Sequence, residues 1–390
     1  MLVPRLAMRN LLGAGLRTWL NVVVLSIAYV TIIWTQGFNI GMYQQISRSQ
    51  IDAEYGGGQY WNENYDPYDP FALQEAHGVI PSTLQKWVRD RKATPLLITQ
   101  GTIYPNGRIR TILLKGIDPE QKVLTIPSHF LTGESAMVPA LIGNRMAKST
   151  GLRIGDSVTL RWRDRDGTFD ARDVEIVQIM RTSVQSIDNN QIWIPLETLQ
   201  GMTQMEGEAT LVVIDQQIGL KEKIEGWSFQ SQDVLLKDIR DMMKARTISR
   251  GILYVILLFL AMLAIFNTQI LSIFRRRKEM GTLMALGLTR AKLILLFTLE
   301  GAMHGLLAAI ISAVYGIPLL TYFTFKGWPL PQSMDQYGIA IGDKLFPEYS
   351  AALIVGTTAV ILLVTTVVSY LPSRRIAKLK PTDALRGKMT

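Results

Sequence analysis

The sequence predicts a multi-pass α-helical membrane protein with four transmembrane helices and a large α+β extracytoplasmic domain between helices 1 and 2. Three observations carry this reading. Four segments, Thr18–Ser47, Gly251–Phe274, Leu293–Phe325 and Tyr349–Leu371, are 23 residues or longer and almost free of charge, enough to cross a hydrocarbon core about 30 Å thick. A polar stretch of some 200 residues separates the first two. The net charge of +9 comes from Lys and Arg that cluster beside the apolar runs, which is the pattern of membrane orientation rather than of a nucleic-acid surface.

Composition removes several kinds of chemistry. With no cysteine there is no disulfide, thiolate nucleophile or Zn–Cys site. His77, His129 and His304 are scattered, with no HExxH or other ligand spacing, so no metal is expected. Neither GxxxxGK[ST] nor GxSxG occurs, which excludes a P-loop and a nucleophile elbow within these residues. No cofactor is expected in this chain, and no nucleic acid among its partners.

Residues 1–17 read as an amphipathic helix lying on the cytoplasmic membrane face. Pro4 suits a first helical position, and Arg5, Arg9 and Arg17 punctuate an apolar sequence. A signal peptide is the competing reading. The following apolar run of about 30 residues is too long for a cleavable core, so 18–44 is assigned to transmembrane helix 1. Tyr29, Gln36 and Tyr43 recur every seven residues on one face, and Gly37 and Gly41 form a GxxxG. Such a face serves as a packing seam within the chain, or meets a second protomer, or lines a substrate cavity.

Residues 45–247 form the extracytoplasmic domain. Ile51–Tyr68 is rich in turn residues. A helical stretch is expected over 71–92, with Pro81 opening its second part. Leu96–Thr102, the Pro105-Asn106-Gly107 turn and Arg110–Gly116 read as a hairpin. A helix is expected over 139–151, strands over Ser157–Trp162, Ala171–Met180, Gln191–Ile194 and Leu211–Ile214, and helices over Glu197–Met202 and 218–225. The acidic residues fall mostly in turns, where solvation is their role, and no nucleophile–acid constellation is visible. A membrane-anchored enzyme is therefore disfavoured, and the chain is read as non-catalytic.

Transmembrane helix 2 is placed at 248–274, helix 3 at 292–323 and helix 4 at 349–372, with an outer loop at 324–348 and a cytoplasmic tail at 373–390. Pro318 is expected to kink or end helix 3. Glu300 lies eight residues past Lys292, at about 12 Å along a helix. That depth is interfacial and suits pairing with a basic residue or a helix end. Gly301 and Gly305 form a second GxxxG. Lys and Arg number three before residue 18, six over 275–292 and six from 373 onward, against two over 326–348. Both termini and the 275–292 loop are therefore expected in the cytoplasm, and the 45–247 domain outside.

The stretch Phe274–Gly301 joins helices 2 and 3 through Arg275-Arg276-Arg277-Lys278, then Glu279 and the glycines 281 and 287. It reads either as a charged cytoplasmic anchor or as a docking element. As an amphipathic helix it would offer Met280, Leu283, Met284, Leu286 and Leu288 to a groove. Gly281 would permit close approach, and Gly287 would end the helix.

These residues carry a resemblance. Arg277-Lys278-Glu279-Met280-Gly281, Ala285-Leu286-Gly287 and Glu300-Gly301 resemble the signature of FtsX-like permeases of ABC transporters, which include macrolide-exporter and lipoprotein-release permeases. The tail, Pro372-Ser373-Arg374-Arg375-Ile376-Ala377, Pro381 and Ala384-Leu385-Arg386, is similar as well. More loosely, Gly116-Ile117-Asp118-Pro119, Leu141-Ile142-Gly143 and Gly151 to Asp156 look like that family's periplasmic core domain.

The resemblance implies an inner-membrane permease that pairs with a second protomer, as homodimer or heterodimer, and binds a cytoplasmic ABC ATPase dimer, where ATP and Mg would reside. Work is then passed outward by mechanotransmission. The ATPase-coupling residues it implies are Arg277, Lys278, Glu279, Met280, Gly281, Leu283, Met284, Gly287 and Glu300. A substrate or dimer face is expected at Gln36, Ile40, Tyr43, Tyr254 and Phe259. Lipoprotein release is the first choice of task, with a periplasmic carrier or adaptor and membrane lipid as further partners. Drug or peptide efflux, and signalling to a cell-wall hydrolase or sensor kinase, are the alternatives.

Overall fold

The computed structural model describes residues 15–69, 71–133, 137–182, 184–218, 223–329 and 344–374. Residues 1–14 of the expected 1–17 helix and the tail motif from Arg375 onward lie outside the described residues, and Leu16 and Arg17 fall in the first long helix. The chain divides into two compact units: Met1–Met42, Met243–Pro329 and Leu345–Thr390 form one, Tyr43–Met242 and Leu330–Lys344 the other.

The first unit is helical. Its elements are α1 (Leu16–Gln50), α2 (Lys237–Arg275), α3 (Arg277–Ala285), α4 (Arg290–Lys326) and α5 (Ala351–Ser373). Of these, α1, α2, α4 and α5 are long and apolar enough to cross a membrane. All four contribute to one core: Val22, Leu25 and Ile33 from α1, Ala261 and Ile265 from α2, Ala308 and Leu320 from α4, Ile361 and Val368 from α5. Large apolar side chains on their other faces, such as Ile252, Val255, Val314 and Leu363, are exposed, as a helix in hydrocarbon requires. Hydroxyl groups start α4 and α5: Thr289 accepts from the Lys292 amide and Ser350 from that of Leu353. Pro318 does not end α4, which runs on to Lys326. The ring removes one intrahelical donor, a loss that helices packed in a membrane bundle tolerate.

Both glycine pairs are seams within the chain. A Cβ at Gly37 would overlap the Tyr349 ring, and one at Gly41 the Phe346 carbonyl. The Glu348 amide donates to the Gly37 carbonyl at 2.9 Å. Segment 346–349 thus covers this strip of α1. Gly301 and Gly305 of α4 face Ser369 and Thr365 of α5 in the same way.

The second unit is α+β with a mixed sheet. Its strands are β1 (Gly58–Asn62), β2 (Ala93–Ile103), β3 (Arg110–Ile117), β4 (Val138–Gly143), β5 (Ser157–Arg163), β6 (Phe169–Met180), β7 (Gln191–Pro195), β8 (Leu211–Ile214) and β9 (Trp227–Gln230). Their order is β9-β1-β8-β2-β3-β7-β4-β6-β5, and β5 also pairs with β2. The β3–β7 and β4–β6 pairs are parallel. The predicted hairpin forms with Ile103 opposite Arg110. Short helices at Ser82–Arg89, Asn144–Thr150 and Leu196–Thr203 complete the unit.

Two expectations are corrected here. Residues 138–143 are a strand, and the helix begins only at Asn144. All six strand residues are buried, so the run lacks the alternation that marks a half-exposed strand. Residues 71–81 are not helical beyond one short turn at Ala72–Gln74. Gly78–Val79 instead pairs with Glu208–Ala209, and the helix opens after Pro81. The helix expected over 218–225 falls largely on residues 219–222, outside the described set; Ile224 bridges to Trp227.

Candidate coupling site

The segment between α2 and α4 folds as the nine-residue helix α3 followed by a glycine turn. The turn has a mechanism. Gly287 adopts φ +95°. Its amide donates to the Met284 carbonyl at 3.0 Å, and that of Leu288 to Leu283 at 3.0 Å. This pair of bonds is a Schellman ending, which places the left-handed residue where glycine costs nothing. We predict that Gly287→Ala lowers stability by about 1 kcal/mol, read as a small drop in melting temperature with the helical signal retained.

The inner face of α3 packs on the chain itself. Met280 is fully buried in a cluster with Ile273 of α2 and Leu293 and Phe297 of α4, and Leu283, Met284 and Leu288 pack against that cluster half-buried. Gly281 is buried too. The expectation that Met280 faces a partner is therefore corrected, since it binds α3 to its own neighbours; Leu283, Met284 and Leu288 pack on the same cluster while keeping part of their surface exposed. Leu286, which caps the C-terminal end of α3, is 80% exposed. Lys278, Glu279, Arg290 and Lys292 are exposed as well. The side chain of Arg277 lies outside the described set.

Charge makes the second attachment. Arg276, in the junction between α2 and α3, donates to both carboxylate oxygens of Glu300 on α4, at 3.0 and 2.9 Å. Its Nε lies 2.7 Å from Glu279, and its guanidinium stacks 5.1 Å from the Phe297 ring centre. Burial opposes the Arg276 charge, but the carboxylates of Glu279 and Glu300 outweigh it and raise its pKa. Glu300 is thus ion-paired, as its depth suggested. Arg276 was not among the sequence-predicted site residues. Four consecutive basic residues look alike in one dimension, and only the packing of Phe297 and Glu300 shows that Arg276 turns inward.

The next residue after Glu300, Gly301, brings three helices together. A Cβ there would overlap Ser369 of α5 and press on the amide nitrogen of Gln269 from α2. His304 Nδ1 lies 2.9 Å from the Glu300 carbonyl oxygen.

The residues expected at a substrate or dimer face belong to both units. Gln36 and Ile40 are half-buried on α1, flanking the strip that segment 346–349 covers. Tyr254 is half-buried and Phe259 is 57% exposed on α2. Tyr43 belongs to the other unit, where its hydroxyl bonds to Arg240.

Residues 251–381, the stretch holding α3, its attachments and both flanking helices, match the FtsX-like permease C-terminal family. The chain carries an FtsX-like permease domain. The lipoprotein-releasing system transmembrane protein LolC of Neisseria meningitidis is 22% identical over 350 residues, which cover 78% of this chain and 80% of that protein. An ABC transporter permease of Methanocaldococcus jannaschii is 27% identical over 255 residues, 61% of this chain and 58% of its own. The macrolide export ATP-binding/permease protein MacB of Vibrio parahaemolyticus is 23% identical over 234 residues, 56% of this chain and 34% of its own. The extracellular domain of the transporter YknZ from Gram-positive bacteria aligns with 42% of this chain at TM-score 0.26 and 12% identity.

Proposed function

We propose that this chain is the permease subunit of an ABC transporter in a cytoplasmic membrane, worked by a separate cytoplasmic ATPase that docks on α3. The observation that carries the reading is the double attachment of α3, by the Met280 cluster and by the Arg276–Glu300 pair. A short helix held this way moves with α2 and α4 rather than hinging between them. A push on its outer face is then delivered to two membrane-length helices. Leu286 and the basic residues Lys278, Arg290 and Lys292 are exposed, which suits an apolar pocket with acidic surroundings on the partner. Both termini and α3 lie in the cytoplasm in this reading, the 45–247 domain lies outside, and ATP and Mg are bound by the partner alone.

The cargo is an amphipathic molecule handled on the outer side, with lipoprotein release first; the relatives named LolC and their length coverage support that choice. Efflux is the second reading, supported by the relatives named MacB. Two protomers form the membrane assembly, and Gln36, Ile40, Tyr43, Tyr254 and Phe259 serve as cargo or dimer contacts.

The test is co-expression with an ATPase encoded beside it. The two proteins co-purify, and Leu286→Asp reduces stimulated ATP hydrolysis at least about tenfold, the effect of removing a central apolar anchor. Its melting temperature stays at the wild-type value because Leu286 is exposed. Failure of any ATPase to bind, or full stimulation by Leu286→Asp, refutes the docking reading. Mass spectrometry of what a hydrolysis-dead complex retains then separates lipoprotein from small-molecule cargo.

A further inference from the structure

The mixed-sheet unit contains a cavity of about 410 Å³, within the size range of small-ligand sites. Its lining is unusual in one respect: Tyr55, Trp61, Tyr65 and Tyr68 all contribute to it. Trp61 and Tyr65 stand 5.0 Å apart at 83°, so the two rings make a corner. The Trp61 indole is held by a 2.6 Å bond from its Nε1 to Gln59 Oε1, and Gln59 in turn donates to the Glu54 carbonyl at 2.8 Å. The corner is therefore built from fixed rings. Leu96, Ile98 and Leu211 supply the apolar remainder.

The charged groups of the lining are Glu54, Lys115, Lys237 and Asp238. Lys115 is committed inward: its side chain is 6% exposed, its Nζ lies 3.3 Å from Glu54 Oε1, and it sits 4.9 Å over the Trp193 ring. Lys237 is exposed and solvated. Asp238 is exposed and accepts a hydrogen bond from the Tyr68 hydroxyl. Burial, then the charges of Glu54 and Asp66, push the Tyr65 phenol well above its ordinary range. Tyr68 is raised as well, first by its bond to Asp238.

This combination selects for charge. An anion entering the cavity would meet Asp238 and the negative faces of the rings, and would have to draw Lys115 from its buried pair with Glu54. A cation meets ring faces and the exposed Asp238 carboxylate, the two kinds of group that recognise quaternary ammonium ions.

We propose that this cavity binds an organic ammonium group, with the rings of Tyr55, Trp61, Tyr65 and Tyr68 lining its site and Asp238 supplying the opposite charge. The group belongs either to a soluble amine or to a lipid headgroup. The inference is independent of ATPase docking: a chain that bound no ATPase would still bind the cation.

The experiment is calorimetric titration of the full chain, in nanodiscs of phosphatidylglycerol, with choline and with its uncharged isostere 3,3-dimethylbutan-1-ol. Choline gives saturable binding, and the alcohol binds at least about tenfold more weakly, the discrimination expected of ring faces and a carboxylate. Asp238→Asn and Tyr68→Ala change exposed positions and leave folding intact; each weakens choline binding about fivefold or more. Tyr65→Phe, which keeps the ring, weakens it less than Tyr65→Ala. Equal binding of the alcohol, unchanged choline binding in Asp238→Asn and Tyr68→Ala, or no saturable binding at all overturns the proposal. Repeating the titration in nanodiscs containing phosphatidylcholine identifies the source. Loss of the choline signal there means the headgroup already fills the site, and an unchanged signal means a soluble amine does.

Discussion

Arg276→Ala lowers the stability of the helical unit by about 3 kcal/mol, at the low end of the cost of breaking a buried ion pair, because the Arg276 side chain keeps 23% exposure while that of Glu300 has 7%. The substitution removes the guanidinium that neutralises the Glu300 carboxylate at two oxygens, and it also removes the cation resting on Phe297. Both losses fall on the joint between α3 and α4. The purified protein in detergent should melt several degrees lower. Limited proteolysis should cut near Arg277–Arg290 sooner than in the wild type, because α3 keeps only its apolar attachment.

A second substitution separates charge from shape. Arg276→Met combined with Glu300→Leu removes both charges and refills the space with apolar groups. Paired removal of a buried ion pair is often neutral or stabilising, so the double variant should melt above Arg276→Ala. A double variant as unstable as the single one would mean that the pair has no special role and that any change at this joint is damaging. If α3 docks an ATPase, the double variant also tests transmission: its stability returns while the rigid charge link between α3 and α4 is gone.

Gly301→Leu should have the larger effect on folding. Overfilling a packed site usually costs about 1–3 kcal/mol. Here even a methyl group would overlap Ser369 and crowd Gln269, so three helices would have to part. In a bilayer no hydrophobic force rejoins them, since association rests on close packing and interhelical polar contacts. The expected result is loss of the monodisperse species on size-exclusion chromatography. Gly356→Leu is the internal control. It sits on α5 with no atom within 4 Å of an added Cβ, and it should elute and melt like the parent. A Gly301→Leu protein indistinguishable from Gly356→Leu would show that α4 does not need this approach.

Much of the fold was legible because the controlling signals are local. Length and absence of charge define the four membrane-length helices without reference to any contact. The hairpin at Leu96–Gly116 follows from its turn, and β5 from strict alternation, with Val158, Leu160 and Trp162 buried between exposed neighbours. Gly287 could be read as a helix end because left-handed backbone has a residue preference. Failures came where burial erases local pattern. Val138–Gly143 is apolar throughout, as both a buried strand and a buried helix are, and its pairing with β6 and β7 is a property of distant residues.

The coupling segment divides the same way. Its place between two membrane-length helices, its basic entry and its likeness to FtsX-like permeases are properties of the sequence. The division of its face was decided by the tertiary structure. Met280 and Leu286 are equally apolar in one dimension; the cluster formed by Ile273, Leu293 and Phe297 buries the first and leaves the second in solvent. Arg276 and its basic neighbours are equivalent until Glu300 arrives from α4. Glycine pairs declare close approach, but not to what, and segment 346–349, Ser369 and Thr365 supply that answer. Composition and period set what each segment can become, because they act through backbone preference and solvent. Which side chains become inner or outer, paired or exposed, depends on neighbours far away in the chain, and only the packed structure specifies them.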